Sequence, residues 1–152
     1  MRRVLLSVAV ALATSFAIAG GSIAATPDQE AAFVNAYKTA FASKDAAALS
    51  ALLYSGGDPM ALDFYGQMMA AEMQGGTISS VELQDLTPDD VANAATVQDM
   101  PNGKMKLTPK PYKKLVVKVD TKTADNNSSS TSEIFVAEDK GKLVIAVPAP
   151  AK

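Results

Sequence analysis

Histidine, cysteine and tryptophan are all missing from this chain of 152 residues. Without histidine there is no Ser-His-Asp triad, no imidazole general base and no histidine-ligated zinc or haem. Without cysteine there is no thiolate nucleophile, disulfide, iron–sulfur cluster or lipid-modified N-terminal cysteine. The composition therefore excludes much of the familiar catalytic and metal-binding chemistry.

Arginine is also nearly absent, since Arg2 and Arg3 are the only two in the sequence. Residues 26–152 hold 12 lysines against 16 acidic residues, a net charge of −4. That balance gives no general attraction to nucleic acid or anionic lipid. Arginine also makes most bidentate contacts to phosphates and bases. We therefore expect no nucleic-acid partner.

The first 25 residues are typical of a secretory signal peptide, with Arg2 and Arg3 preceding an apolar run and then small residues. Cleavage after Ala24 or Ala25 is favoured over Ala19, because a helix start follows directly. The alternative is an uncleaved anchor, although glycines and alanines make a poor membrane span. We predict export to the periplasm or beyond the cell, with no stable membrane anchor after cleavage. One domain over residues 26–148 and a short tail over 149–152 would follow.

The first half of the mature chain is predicted to be helical. Thr26 and Gln29 form a capping-box signature around a proline, and Asp45 is a cap for a short second helix. Asp58 followed by Pro59 begins a third helix, which a glycine pair at 75 and 76 ends. The first helix carries an apolar face that comprises Phe33, Val34, Tyr37, Ala40 and Phe41.

The second half predicts strands. Polar and apolar residues alternate over 77–86 and 114–122, and segments 133–138 and 142–147 flank a short glycine-containing turn. The last three strands are expected to form an antiparallel meander, with residues 125–130 as a polar loop. Thr87-Pro88 is suited to begin a short helix, and Asn102-Gly103 to turn a small hairpin. Helices followed by an antiparallel sheet predict the α+β class.

This order of elements, with the segments AFASKDAAALSALL and IFVAEDKGKLVIAV, resembles the nuclear-transport-factor-2-like superfamily, in particular its secreted bacterial members. The resemblance implies a curved antiparallel sheet wrapped around N-terminal helices as a cone, with an apolar pocket or a dimer face. Enzymes of that superfamily include ketosteroid isomerase, scytalone dehydratase and the polyketide cyclases. The latter two resemble one another in using a pocket histidine, so the absence of histidine disfavours their reactions here.

The third predicted helix carries two adjoining apolar rows. Met60, Phe64 and Met68 form one, and Tyr65, Met69 and Met73 form the other. Methionine adapts to irregular surfaces, so one interpretation is the wall of a groove, and the other is an ordinary core helix under the sheet. The candidate ligand-binding residues are Met60, Phe64, Tyr65, Met68, Met69 and Tyr37. Copper(I) ligation by Met69 and Met73 alone is disfavoured, and we predict no metal and no cofactor.

These features predict an exported, non-catalytic module that binds a small lipophilic ligand or a protein partner, with a homodimer as a further option. The alternative is an isomerase or dehydratase that uses carboxylates and tyrosines inside the cone. Such an enzyme needs one of each in a buried cavity. Asp63 and Tyr65 point in different directions on a helix. No catalytic residue is assigned.

Overall fold

The computed structural model describes residues 25–101, 103–122 and 127–151. Within them lie four helices and seven strands: α1 (Pro27–Ala42), α2 (Ala46–Ser50), α3 (Pro59–Gly75), β1 (Thr77–Asp85), α4 (Pro88–Ala95), β2 (Gln98–Met100), β3 (Gly103–Thr108), β4 (Lys113–Lys122), β5 (Asn127–Asp139), β6 (Lys142–Ile145) and β7 (Val147–Pro150). The α+β class, with helices packed on antiparallel sheets, is confirmed. The predicted signal peptide lies outside the described residues, except for Ala25.

The helix starts follow the predicted caps. The Thr26 hydroxyl accepts a bond from the Gln29 amide at 3.3 Å, and the Gln29 side-chain oxygen accepts one from the Thr26 amide at 2.7 Å. Asp45 caps α2 and Asp58 caps α3, each through its carboxylate. Thr87 begins α4 with a second capping box. Local side chains thus satisfy amides that the first turn of a helix leaves unbonded.

The strands form two antiparallel sheets, ordered β1-β4-β5-β6 and β2-β3-β7. The predicted meander of β4, β5 and β6 is confirmed. Lys140 and Gly141 turn the last hairpin with φ of 51° and 79°, as a tight hairpin turn requires. The loop predicted for residues 125–130 is wrong for residues 127–130, which pair with β4. Their polar side chains are exposed, so backbone pairing alone holds them in the strand.

The last strand changes sheets at Ala146, whose amide donates to the Phe135 carbonyl at 2.9 Å. Beyond it β7 pairs with β3, placing Pro148 opposite Leu107 and Pro150 opposite Met105. Residues 149 and 150, predicted from the sequence to be part of the short tail, thus lie in β7. Prolines are tolerated here because β7 is an edge strand, where a missing amide leaves no ladder bond unmade.

Helices α1 and α3 and the larger sheet share one hydrophobic core. Gly76, just after α3, lets the chain pass close to the sheet, because a Cβ there would collide with Val119. Gly57, just before α3, does the same against Val147. Each large apolar side chain buried in this way stabilises the fold by about 1.5–3 kcal/mol. The largest fully buried side chains are Tyr37, Phe41, Leu49, Met69, Met73, Leu115, Val117, Val119, Val136, Ile145 and Val147.

Within the described ranges, none of the helices has the length and apolar character needed to cross a membrane.

Candidate functional site

The two apolar rows of α3 have opposite surroundings. Met69 and Met73 are 1% and 2% exposed and lie in the core. Met60, Phe64 and Met68 are 72%, 63% and 44% exposed. The core interpretation therefore describes Met69 and Met73, and the groove interpretation describes the other row. Tyr65 is half-buried between the two.

The exposed row borders a surface groove, called here the α3 groove, that has two overlapping lobes. The outer lobe has a volume of about 410 Å³, and the inner lobe has a volume of about 330 Å³. Side chains common to both lobes are Phe64, Tyr65, Gln98, Met105 and Pro148. Four of the six candidate residues thus line this groove: Met60, Phe64, Tyr65 and Met68.

The opposite wall consists of the β2–β3 hairpin and β7. Met100, Pro101 and Met105 line the groove from the hairpin, and Pro148 lines it from β7. The amide of Asp58 donates to the Pro148 carbonyl at 2.9 Å, which joins the start of α3 to this wall. Sequence reasoning missed the wall. The signal available in the sequence was the pair of methionines on either side of the predicted Asn102-Gly103 turn, of which Asn102 lies outside the described residues.

Exposed apolar side chains concentrate around the α3 groove. In the part of the chain that the structure describes, six large apolar side chains are exposed: Met60, Phe64, Met68, Val91, Val97 and Met100. Four of them line the groove. Apolar residues scattered singly are ordinary on a protein surface, whereas these four are gathered in one recess.

Tyr37 and Met69, the other two candidates, lie in the core and do not line the α3 groove. The Tyr37 hydroxyl is buried and has no hydrogen-bond partner among the described residues. Burial raises the pKa of Tyr37, and the negative charge of Glu72 raises it further. Glu72 itself accepts a hydrogen bond from the Ser132 hydroxyl at 2.7 Å.

The inner lobe is more polar than the outer one. Asn93, Thr96 and Gln98, at and after the end of α4, line it together with Lys106 and Glu133. Glu133 is held by Lys114 at 3.0 Å, and Lys114 also pairs with Asp90 at 3.0 Å. Hydrogen bonds from Lys114 to Glu133 and Asp90 raise the pKa of this lysine. The pKa of Asp90 is lowered, first by its hydrogen bond from the Thr87 amide.

Besides the buried Tyr37 near the charge of Glu72, tyrosine and carboxylate groups come together in two other places among the described residues. Tyr65 lines the inner lobe together with Glu133, and burial raises the pKa of Tyr65. However, Glu133 is ion-paired with Lys114, and the lobe is open to solvent. Tyr112 hydrogen-bonds Glu30 at 3.3 Å outside the α3 groove. Burial and Glu30 raise the pKa of Tyr112 to about 12. Neither arrangement is a closed cavity holding both groups.

Metal ligands do not cluster in the described ranges, where no three Asp or Glu side chains come together. Met69 and Met73, considered above for copper(I), are buried in the core.

No protein-family model matches the sequence, and no curated protein matches it. Three solved structures are similar in part. The helical cell shape determining protein Pgp2 from Campylobacter jejuni has a TM-score of 0.45 and 14% identity, over 82% of this chain and 42% of Pgp2. This chain thus spans less than half of Pgp2.

A variant of a protein called Rd1NTF2_05 has a TM-score of 0.44 and 7% identity, over 80% of this chain and 96% of that one. A SEC-C motif containing protein from Rhodopseudomonas palustris has a TM-score of 0.41 and 10% identity, over 80% of this chain and 77% of that one.

Proposed function

We propose that this protein is an exported, non-catalytic module of the nuclear-transport-factor-2-like type that binds a small lipophilic ligand in the α3 groove. The observation that carries the proposal is the convergence of exposed apolar side chains from α3 and β2, together with the half-buried Pro148 of β7, on one recess. These segments are distant in sequence. The fold therefore assembles the apolar surface, and no single apolar run accounts for it.

The dimensions of the groove support a small ligand. Each lobe lies within the usual range of about 300–1,000 Å³ for small-molecule sites. Methionines on both walls, Met60 and Met68 on α3 and Met100 and Met105 opposite, supply flexible side chains that adapt to a ligand's shape. Covering exposed apolar area contributes a hydrophobic free energy of about 25 cal/mol per Å², which must exceed the entropy that the ligand loses on binding.

A protein partner is the second candidate, favoured by one observation. Val91 on α4 and Val97 just after it are 48% and 47% exposed, and neither lines the groove. A small ligand in the groove leaves them in water, whereas a partner protein covers them. The enzyme alternative has weaker support, because Glu133 beside Tyr65 is already neutralised by Lys114.

Titration with a neutral, fluorescent apolar probe, N-phenylnaphthylamine, tests the proposal. Phe64→Ser removes a central ring from both lobes, and we expect it to weaken probe binding at least tenfold. Val91→Ser is the matched control, since it removes an exposed apolar side chain outside the groove and is expected to leave probe binding unchanged.

Failure of the wild-type protein to bind the probe would contradict the proposal, and so would equal losses in the two variants. If both substitutions weaken the capture of a protein partner and neither affects the probe, the second candidate is correct.

A further inference from the structure

The two lobes of the α3 groove differ in chemistry. The outer lobe adds Met60, Ala61, Met100 and Pro101 to the shared side chains. The one charged residue among its described lining residues is Asp58, whose carboxylate accepts bonds from the amides at the start of α3. The outer lobe therefore offers a ligand mainly apolar contact.

The inner lobe offers hydrogen bonds instead. Asn93 lines only this lobe, and Gln98 lies where the two lobes overlap. Their side-chain amides have no partner among the described residues, and each has both donor and acceptor groups. The Thr96 hydroxyl donates to the Ala92 carbonyl at 3.0 Å and keeps its oxygen free to accept. A ligand head that binds these groups would replace water with equivalent hydrogen bonds.

Charges around the inner lobe cancel. Glu133 and Asp90 carry two negative charges, and Lys114 between them carries one positive charge. Lys106, which also lines the lobe, supplies the second positive charge. Because the four charges sum to zero, the inner lobe carries no net charge that would favour an ion of either sign.

The length of the groove is set by α3. Met60 and Met68 are eight residues apart, which is about 12 Å along a helix. Building on the proposed function, we infer that the α3 groove binds an amphipathic molecule, with one apolar chain in the outer lobe and an uncharged hydrogen-bonding head against Asn93 and Gln98. The inference names both the class of ligand and its orientation.

A series of ligands with one chain length tests the head group. We expect decanol to bind more tightly than decanoate and decylammonium by about tenfold, because the lobe carries no net charge to offset the hydration that either ion loses against the side chains of Asn93 and Gln98. Decane diol, with a hydroxyl at each end, should also bind less tightly than decanol, because it places its second hydroxyl in the apolar outer lobe. All measurements are made below the micelle concentrations, with protein amide shifts as the readout.

Two near-isosteric substitutions test the orientation. Gln98→Met and Asn93→Leu together keep the volume of the inner lobe and remove its amides, so decanol should bind about three- to tenfold more weakly. Chlorodecane, which lacks a hydroxyl, should bind both forms equally. Gln67→Met is the matched control because Gln67 is exposed on α3 and does not line the groove.

The inference is overturned if a charged ligand binds as tightly as decanol, or if the double variant binds decanol like the wild type. If Phe64→Ser still weakens apolar binding in that case, the proposed function stands and only the orientation is wrong. If none of these ligands binds but N-phenylnaphthylamine does, the inference is wrong and the proposed function stands. If the probe also fails to bind, both are wrong.

Discussion

The buried and exposed rows of α3 provide an internal comparison, because both contain methionine and an aromatic residue at helical spacing. Met69 and Met73 of the buried row lie in the hydrophobic core with side chains of β4 and β5, and the half-buried Tyr65 packs against that core and also lines the groove. The Met60–Phe64–Met68 row faces the β2–β3 hairpin across an open groove. Whether a methionine of α3 stabilises the fold therefore depends on the element that it faces and not on its residue type.

The largest difference in stability is expected between alanine substitutions of the adjacent residues Met69 and Met68. Met69→Ala opens a cavity in the core and is expected to lower the free energy of unfolding by about 2–5 kcal/mol. Met68→Ala removes the same atoms from a half-exposed position and is expected to cost well under half as much. Urea unfolding of both variants measures the difference. Equal losses would show that the two rows are packed alike.

Alkaline pH extends the comparison to Tyr37, which packs in the same core as the buried row. Above about pH 10 the Tyr37 hydroxyl loses its proton in the unfolded chain, whereas its raised pKa keeps it protonated in the folded protein. Stability from this group is fully present below pH 10 and falls as pH rises, by about 1.4 kcal/mol per pH unit.

The Tyr37→Phe variant should therefore lose stability less steeply than the wild type between pH 9 and about 11. At neutral pH it should be at least as stable, because the hydroxyl that it removes is buried without a partner in the described residues. If the free energies of unfolding of the wild type and the variant fall equally steeply above pH 10, the raised pKa of Tyr37 is contradicted.

A smaller loss of stability is expected when the hydrogen bonds at the end of α3 are removed. The Lys44 ammonium donates to the Met73 carbonyl and, at 3.0 Å, to the Gly76 carbonyl, and it lies 5.6 Å from the centre of the Phe41 ring. Lys44→Met keeps the apolar stem and removes these bonds, with an expected loss of about 1 kcal/mol. Lys38→Met, at an exposed position on α1, is the control and should change the unfolding midpoint little. An unchanged midpoint in both would show that the capping bonds contribute nothing.

The smallest stability change is expected for Phe64→Ser, within about 0.5 kcal/mol of the wild type, because the ring is 63% exposed. Thermal unfolding beside the probe titration checks both properties on one sample. A loss above 1 kcal/mol would mean that the exposed row supports the fold, and the comparison of the two rows would no longer hold.

Local signals in the sequence predicted much of the fold and only half of the site. The caps at Thr26, Asp45 and Asp58 act on neighbouring amides, so the residues themselves locate the helix starts. The rotation of α3 about its axis depends on which surface the sheet presents, and the two rows are equally apolar by sequence. The hairpin wall depends on contacts between Met105 and residues far away in the chain, which no local pattern encodes.

The hydrogen bond from the Asp58 amide to the Pro148 carbonyl has a consequence for how the groove meets a ligand. It fastens the two walls together at the outer end before anything binds, so that end loses little conformational entropy on association. The β2 strand, three residues long and exposed throughout, has one neighbour in the sheet and so belongs to the less stable part of the fold. The groove is thus preorganised at its outer end and adaptable along its β2 side.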